Sequence, residues 1–347
     1  MPEELYVSAL LGELDMHAAL IQDRPLVSIF FGGGTPSLFS PQAIGQIIDG
    51  AAKRLALPAA TEITLEANPG TIDQRYFRDY RQAGINRLSL GVQSFQDDKL
   101  KVLGRIHDGE HAKQAVHVAA AAGFDNFNID LMYGLPDQSI TEALSDLETA
   151  ASLAPTHLSW YQLTIEPNTL FHHRPPILPM DDTIWDMQLA GQAFLQQAGF
   201  AQYEVSAYSR AGRDCLHNRN YWEFGDYLGI GAGAHSKITD LRTQSILRFS
   251  QIKHPRDYLD AAKRKNIMIK PVAETDIAFE FMLNVLRLTE GAEMNLFNER
   301  TGLPLEQITP LLEQAKKRGL LADAARLCPT DLGKKFLNDL VGLFLPY

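Results

Sequence analysis

Cysteine is nearly missing from this sequence: among 347 residues only Cys215 and Cys328 carry thiols, and they are far apart. No C-x-x-C spacing exists, so neither a zinc site nor a disulfide framework is readable. Two reduced thiols in a cytoplasmic protein are the simplest interpretation. An excess of positive charge is missing as well. The 32 basic and 42 acidic residues leave a formal charge of −10, which repels phosphate backbones and argues against general nucleic-acid binding. No apolar run approaches the ~20 residues needed to span a bilayer. The opening stretch, MPEELYVSALLGEL, lacks the basic start and apolar centre of a signal peptide. What remains points to a cytoplasmic protein, and 45% hydrophobic residues are enough to build a substantial core.

The first two-thirds of the chain alternates short β-type runs with amphipathic helices. The predicted strands are LVSIFF (26–31), EITLEA (62–67), RLSLGVQ (87–93), FNIDLMYG (127–134) and HLSWYQLT (157–164). Helix signals lie between them. Ser40 caps a segment with Pro41 at its first position and Ile44, Ile47, Ile48, Ala51 and Leu55 on one face. Thr71 with Gln74 and Ser139 with Glu142 fit capping boxes, and Gly84 supplies a C-terminal stop. Strand–helix–strand alternation predicts parallel strands with right-handed crossovers, in a barrel or a doubly wound sheet. Residues 200–255 show no clear helical period. From about 273 helical patterns return, at 275–288, 303–321 and 331–345, with a short strand at RLCP. A boundary near 270 is expected, dividing the chain into 1–270 and a helical, winged-helix-like 271–347.

Ligands of parallel α/β folds collect at the carboxyl ends of the strands. Here those ends read Gly32-Gly33-Gly34-Thr35-Pro36, Glu66-Ala67-Asn68-Pro69-Gly70, Gly91-Val92-Gln93-Ser94-Phe95 and Asp130-Leu131-Met132-Tyr133-Gly134. The preceding strands read as largely apolar, as buried parallel strands should. Three glycines let backbone groups approach a ligand, or simply make a tight turn. They form neither a G-x-G-x-x-G nor a Walker pattern. Glu66 suits a ligand or a helix N-terminus, Gln93 a ligand or its own loop, and Arg105 a ligand or plain solvent. Asp130, in an apolar setting, needs a partner of one kind or the other.

In order, GGGTPSLFS, EANPGT, RLSLGVQSF, LGRIH, NIDLMYGLPDQ, LSWYQLTIEPNT, HNRNYW and GDYLGIGAGAHS resemble the motifs of the HemW group. These are oxygen-independent coproporphyrinogen III oxidase-like radical S-adenosylmethionine (SAM) proteins regarded as heme chaperones. The resemblance covers essentially the whole chain. It implies an α/β fold, a partial (β/α)6 radical SAM barrel with a helical C-terminal domain, holding SAM at its strand ends. Carried over by position, Gly33, Gly34, Thr35, Glu66, Gln93, Arg105 and Asp130 would contact SAM. His217, Asn218, Tyr221 and Trp222, in the H-N-x-x-Y-W pattern, would contact heme. An imidazole is a common axial ligand and aromatic rings stack on a porphyrin; packing under a glycine-rich loop accounts for the same residues. His235 is a weaker second candidate.

Family members carry upstream a first barrel strand and a C-x-x-x-C-x-x-C loop whose thiolates hold a [4Fe–4S] cluster. This sequence starts at Met1-Pro2-Glu3-Glu4, and neither cysteine falls in such a motif. The expectation is therefore a barrel without its first strand and a chain that does not assemble the cluster by itself. A start assigned too far downstream, or a truncated gene, is preferred to a cluster-free paralogue. No catalytic residue and no metal ligand is assigned. The resemblance implies a protein that binds SAM and heme and delivers heme to apoproteins. The alternative is a coproporphyrinogen III oxidase of porphyrin biosynthesis, which would make the chain an oxidoreductase.

Overall fold

The computed structural model describes residues 2–70, 74–264 and 267–346. The chain divides into two compact units, one of Ser28–Gly45 and Glu62–Cys215, the other of Met1–Val27, Gln46–Thr61 and Leu216–Tyr347.

The first unit is built on a seven-stranded sheet. Its strands are β1 (Ser28–Phe31), β2 (Glu62–Ala67), β3 (Arg87–Gln93), β4 (Phe127–Tyr133), β5 (His157–Gln162), β6 (Ala201–Glu204) and β7 (Ala207–Ser209). The spatial order is β1-β2-β3-β4-β5-β7-β6. The first five run parallel, because a helical crossover separates each from the next. β6 and β7 are joined by two residues and pair antiparallel, β7 also lying antiparallel to β5. The sequence reading placed no strand between the fifth and the short one at RLCP. Strands of four and three residues are too short to display an alternation. This α/β half-barrel matches the expected fold class.

One expectation needs correction. The strands are apolar on one face only. Leu65, Leu88, Leu90, Ile129, Leu131 and Leu158 are wholly buried, but the intervening residues Ser89, Asn128, Asp130, His157 and Ser159 form a polar ladder. A side-chain period of two puts each set on its own face, and the polar set is paired rather than exposed.

Helices alternate with these strands along the chain. The helix Pro41–Ala52 starts where Ala43 N–H donates to Ser40 Oγ at 3.1 Å, and it buries Ile44, Ile47, Ile48 and Ala51. The helix Gly109–Ala121 buries Ala112, Ala115, Val116 and Ala119, one stripe at helical spacing. The helix Ile140–Ser152 carries the expected capping box, with both Ser139–Glu142 bonds present. The second expected box starts at Thr71, outside the described residues. Gly84, at φ 111° after the helix Phe77–Gln82, is the stop that glycine permits.

In the second unit the helix Glu3–Ile21 reaches a glycine-rich loop more than 200 residues away. Gly231 N–H donates to the buried Glu13 carboxylate at 3.0 Å, and Ala232 N–H donates to Tyr6 Oη at 2.9 Å. The Tyr258 hydroxyl closes the cluster by donating to Glu13. Burial raises the Glu13 carboxyl, against the bonds from Tyr258 and Gly231 that lower it. Strands β8 (His235–Asp240), β9 (Ser245–Ser250) and β10 (Lys270–Pro271) form an antiparallel sheet in the order β10-β9-β8. Asp226 accepts from Lys237 Nζ at 3.0 Å, Thr239 N–H at 2.9 Å and Thr239 Oγ1 at 3.0 Å, and it pairs with Arg24. Lys237 is buried, with its ammonium 4.1 Å from the Phe224 ring centre. Toward the C-terminus, Phe281, Met282, Val285, Phe297, Leu312, Ala315, Leu327 and Leu340 form one core. β11 (Ala292–Glu293) and β12 (Arg326–Leu327) pair antiparallel beside it.

Two expected helices are interrupted. The 303–321 segment is a 3-10 turn, Leu305–Gln307, then the helix Thr309–Lys317. The 331–345 segment is two helices, Asp331–Lys335 and Leu337–Gly342, parted at Phe336 by φ −113°, ψ 46°. No described helix is long and apolar enough to cross a membrane.

Candidate functional site

The loop after β1 is shaped by its glycines. Gly33 and Gly34 sit at φ 80° and 62°, the left-handed region that costs other residues about 1–2 kcal/mol. A Cβ on either would meet nothing within 4 Å, so the backbone there is open. Gly32 has a different reason: a Cβ would fall 2.7 Å from the Phe30 ring and 3.1 Å from Glu66 Oε1. The loop thereby lies on the end of β2, where Gly33 N–H donates to Glu66 Oε2 at 3.1 Å. Thr35 follows, half-buried.

Glu66 is half-buried. Burial raises its carboxyl, the Gly33 N–H opposes this, and the negative charge of Asp130 raises it further. The β2 and β4 acids therefore share one electrostatic neighbourhood. Asp130 is held by donors on both oxygens: Asn128 Nδ2 donates to Oδ1 at 2.8 Å, and Ser89 Oγ donates to Oδ2 at 3.0 Å. Burial nonetheless raises its carboxyl as well.

Behind Asp130 the ladder continues. Asn128 Oδ1 accepts from Ser159 Oγ at 3.1 Å and from His157 Nδ1 at 2.7 Å, so His157 Nδ1 carries the proton. Nε2 of His157 is then the acceptor for the Tyr203 hydroxyl at 2.9 Å. Burial holds this imidazole far below its ordinary range. It stays neutral, and the direction of every bond from Tyr203 to Asp130 is fixed.

Gln93 ends β3 at a bulge against β4, with its own φ at 72°. It is 5% exposed, and its Oε1 accepts from Tyr161 Oη at 2.8 Å. The phenol is raised by burial and by the charges of Asp130 and Glu66, and lowered by Arg105, which faces solvent. Residues of β2, β3 and β4 and of the loops after β1 and β3 are thus linked: Gly33 to Glu66 by a bond, Glu66 to Asp130 by charge, and Gln93 and Arg105 to both acids through Tyr161. Sequence reasoning missed Tyr161, Ser89, Asn128, Ser159 and His157. The signal was present, since N-x-D and H-x-S-x-Y alternate with apolar residues along β4 and β5.

The H-N-x-x-Y-W residues lie on the helix Leu216–Trp222. The His217 ring stands edge-on to Tyr221 at 4.9 Å, and Tyr221 lies 4.3 Å from Tyr227. Burial pushes the Tyr221 phenol up to about 12. Trp222 packs against the C-terminal core, with the Arg287 guanidinium 4.3 Å over its ring. Asn218 is half-buried, and His235, at the start of β8, is exposed. Among the described residues no group of three or more His, Cys, Asp or Glu could hold a metal ion. Cys215 is buried, with its Sγ 3.5 Å from Glu62 Oε1, and Cys328 is half-buried.

Comparison with known proteins agrees with this architecture. The radical SAM superfamily pattern matches residues 3–150, and the HemN C-terminal domain matches residues 272–336. The heme chaperone HemW of Escherichia coli is 50% identical over 346 residues, covering 99% of this chain and 91% of the relative. The heme chaperone HemW of Haemophilus influenzae is 47% identical over 353 residues, with the same coverage. That of Bacillus subtilis is 32% identical over 356 residues, covering 99% of this chain and 92% of the relative. Coproporphyrinogen III oxidase (HemN) from Escherichia coli, a radical SAM enzyme, superposes with a TM-score of 0.80 at 23% identity. That match covers 99% of this chain and 83% of the solved one, and it shows the fold. The chain belongs to the HemW family of heme chaperones, within the radical SAM superfamily.

Proposed function

We propose that this chain binds SAM at the carboxyl ends of β1 to β4, binds heme through the helix Leu216–Trp222, and passes heme to recipient apoproteins. The observation that carries the SAM assignment is the convergence of Gly33, Glu66 and Asp130. Two acids that burial raises, one of them raised further by the other's charge, favour a cationic ligand. The open glycine backbone beside them admits a polar group without a Cβ in the way. When bound, SAM supplies a sulfonium centre and a zwitterionic amino-acid end. Glu66 and Asp130 accept from its ammonium group and hydroxyls, Arg105 pairs with its carboxylate, and the 33–35 backbone lines its methionine end.

For heme, the His217 imidazole is the axial-ligand candidate, and the neighbouring Tyr221 offers a ring face. Asn218 and Trp222 act from the same helix, Trp222 from its packed position. A three-thiolate [4Fe–4S] cluster does not fit the residues present, since the sequence supplies two cysteines and they fall in different units. We place the junction with the C-terminal domain near residue 270, a reading supported by the HemN C-terminal match starting at 272. The scarcity of cysteine supports a cytoplasmic location.

Calorimetric titration with SAM tests the first site. Asp130→Asn, which keeps the shape, and Arg105→Ala should each weaken binding about 10- to 100-fold, the usual loss for a charged hydrogen bond. Unchanged affinity in both rejects the assignment. Heme titration of wild type and His217→Ala tests the second, and identical Soret shifts remove His217 as ligand.

A further inference from the structure

We infer that Tyr161 is a positioning residue that turns Gln93 into a hydrogen-bond donor toward the ligand; this rests on the SAM reading of the site. Gln93 is an unusual place for a flexible side chain. It ends β3 at a bulge, where the two residues between Leu90 and Gln93 face the one between Ile129 and Leu131 on β4. Its φ of 72° is one a non-glycine residue adopts at a cost, and such positions persist when their surroundings hold them. A bulge re-aims the side chain it carries.

Among the described residues, what holds the amide is one bond, from Tyr161 Oη to Gln93 Oε1 at 2.8 Å. The direction of that bond matters because an amide offers an acceptor at one end and two donors at the other. Tyr161 lies on β5 opposite Met132 of β4, half-buried, and carries the charges of Asp130 and Glu66 nearby. Those surroundings keep its phenol protonated, so the hydroxyl has a proton to give, and the partner placed to receive it is the carbonyl end of Gln93. Among the described residues, no hydrogen bond takes up the N–H2 end, which leaves it for another group. The site is thereby sorted by polarity: Glu66 and Asp130 accept, while Gln93 Nε2 and Arg105 donate. A ligand must offer an acceptor oxygen, from a carboxylate or a hydroxyl, where Gln93 points. Without the phenol hydroxyl the amide is free to turn over, and the ligand's oxygen would meet another oxygen.

A double-mutant cycle in SAM affinity tests this. Wild type, Tyr161→Phe, Gln93→Ala and the double variant are titrated with SAM by calorimetry, and their thermal midpoints are recorded. Tyr161→Phe keeps the ring and should fold. If it does not, Tyr161→Trp, which also lacks the donating hydroxyl at that point, replaces it in the cycle. The expected result is a Kd raised about fivefold to tenfold by Tyr161→Phe, the scale of one hydrogen bond, and less than twofold when Gln93 is already alanine. A loss of the same size in both backgrounds overturns the inference, because Tyr161 then acts independently of Gln93. A Tyr161→Phe protein that binds normally while Gln93→Ala binds weakly also overturns it, yet leaves the SAM site standing. Equal affinities across all four, with Asp130→Asn equally silent, overturn both.

Discussion

Asp146 gives the most direct quantitative handle on this fold. It lies on the helix Ile140–Ser152, 1% exposed, and its carboxylate binds the turn that follows Gln93. Ser94 Oγ donates to Oδ2 at 2.7 Å and Phe95 N–H donates to Oδ1 at 2.8 Å. Burial outweighs these bonds and pushes the carboxyl from its ordinary 3.8 up to about 6. A carboxyl raised in the folded state favours folding most when it is protonated in both states, below pH 3.8. That contribution is lost as pH climbs through about 6. The interval is about two pH decades, which at ~1.36 kcal/mol each amounts to about 3 kcal/mol. Asp146→Asn keeps the acceptor for Phe95 and removes the charge. Its stability relative to wild type, from urea unfolding at fixed pH, should therefore rise by about 2.4 kcal/mol between pH 4 and pH 8, the rest of the change lying below pH 4. Any constant offset, from the Ser94 hydroxyl losing its acceptor, leaves that slope untouched. A difference that is flat with pH to within about 1 kcal/mol would refute the claim that this interior carries the charge at a cost.

Two further outcomes follow from close contacts. Gly191, in the helix Asp181–Gln197, lies under Trp160 so closely that a Cβ would fall 2.0 Å from the ring. Gly191→Ala should cost about 1–3 kcal/mol and shift the tryptophan emission; an unchanged urea midpoint would show that the ring has room to move. Asp226→Ala strips Lys237 of the carboxylate it binds, with the ammonium still buried. Breaking such a pair should cost about 3–5 kcal/mol, with part of the loss restored by adding Lys237→Met. A double variant no better than the single one would mean that the desolvated ammonium is not the cause.

The parallel strands were legible because each carries apolar residues, most of them at alternate positions, between readable helix boundaries. EITLEA and RLSLGVQ match β2 and β3 end to end, and the Ser139–Glu142 box was readable from two letters three apart. The glycines and acids at the strand ends were equally plain, since topology alone says where such residues gather. Tyr161 and the Asn128–His157 ladder were not found. Their partners lie on neighbouring strands, and a single line of sequence shows period two without showing what faces it. β6 and β7 escaped because seven residues split by a turn carry no periodicity. Trp222 illustrates the opposite difficulty. A motif marks the residue, but only the packing reveals Arg287 over its ring.

The clamp formed by Glu13 has a consequence for the order in which the chain can mature. Glu13 and Tyr258 are 245 positions apart, so at a synthesis rate of ~5–20 residues per second the first waits roughly 12–50 s for the second. During that interval the strands from Ser28 to Ser209 can all emerge and pair. The helix Glu3–Ile21 meanwhile has neither Gly231 nor Tyr258 to receive its buried acid. Translation thus imposes a sequence on assembly, in which the helix Glu3–Ile21 finds its place only after the chain has been made as far as Tyr258.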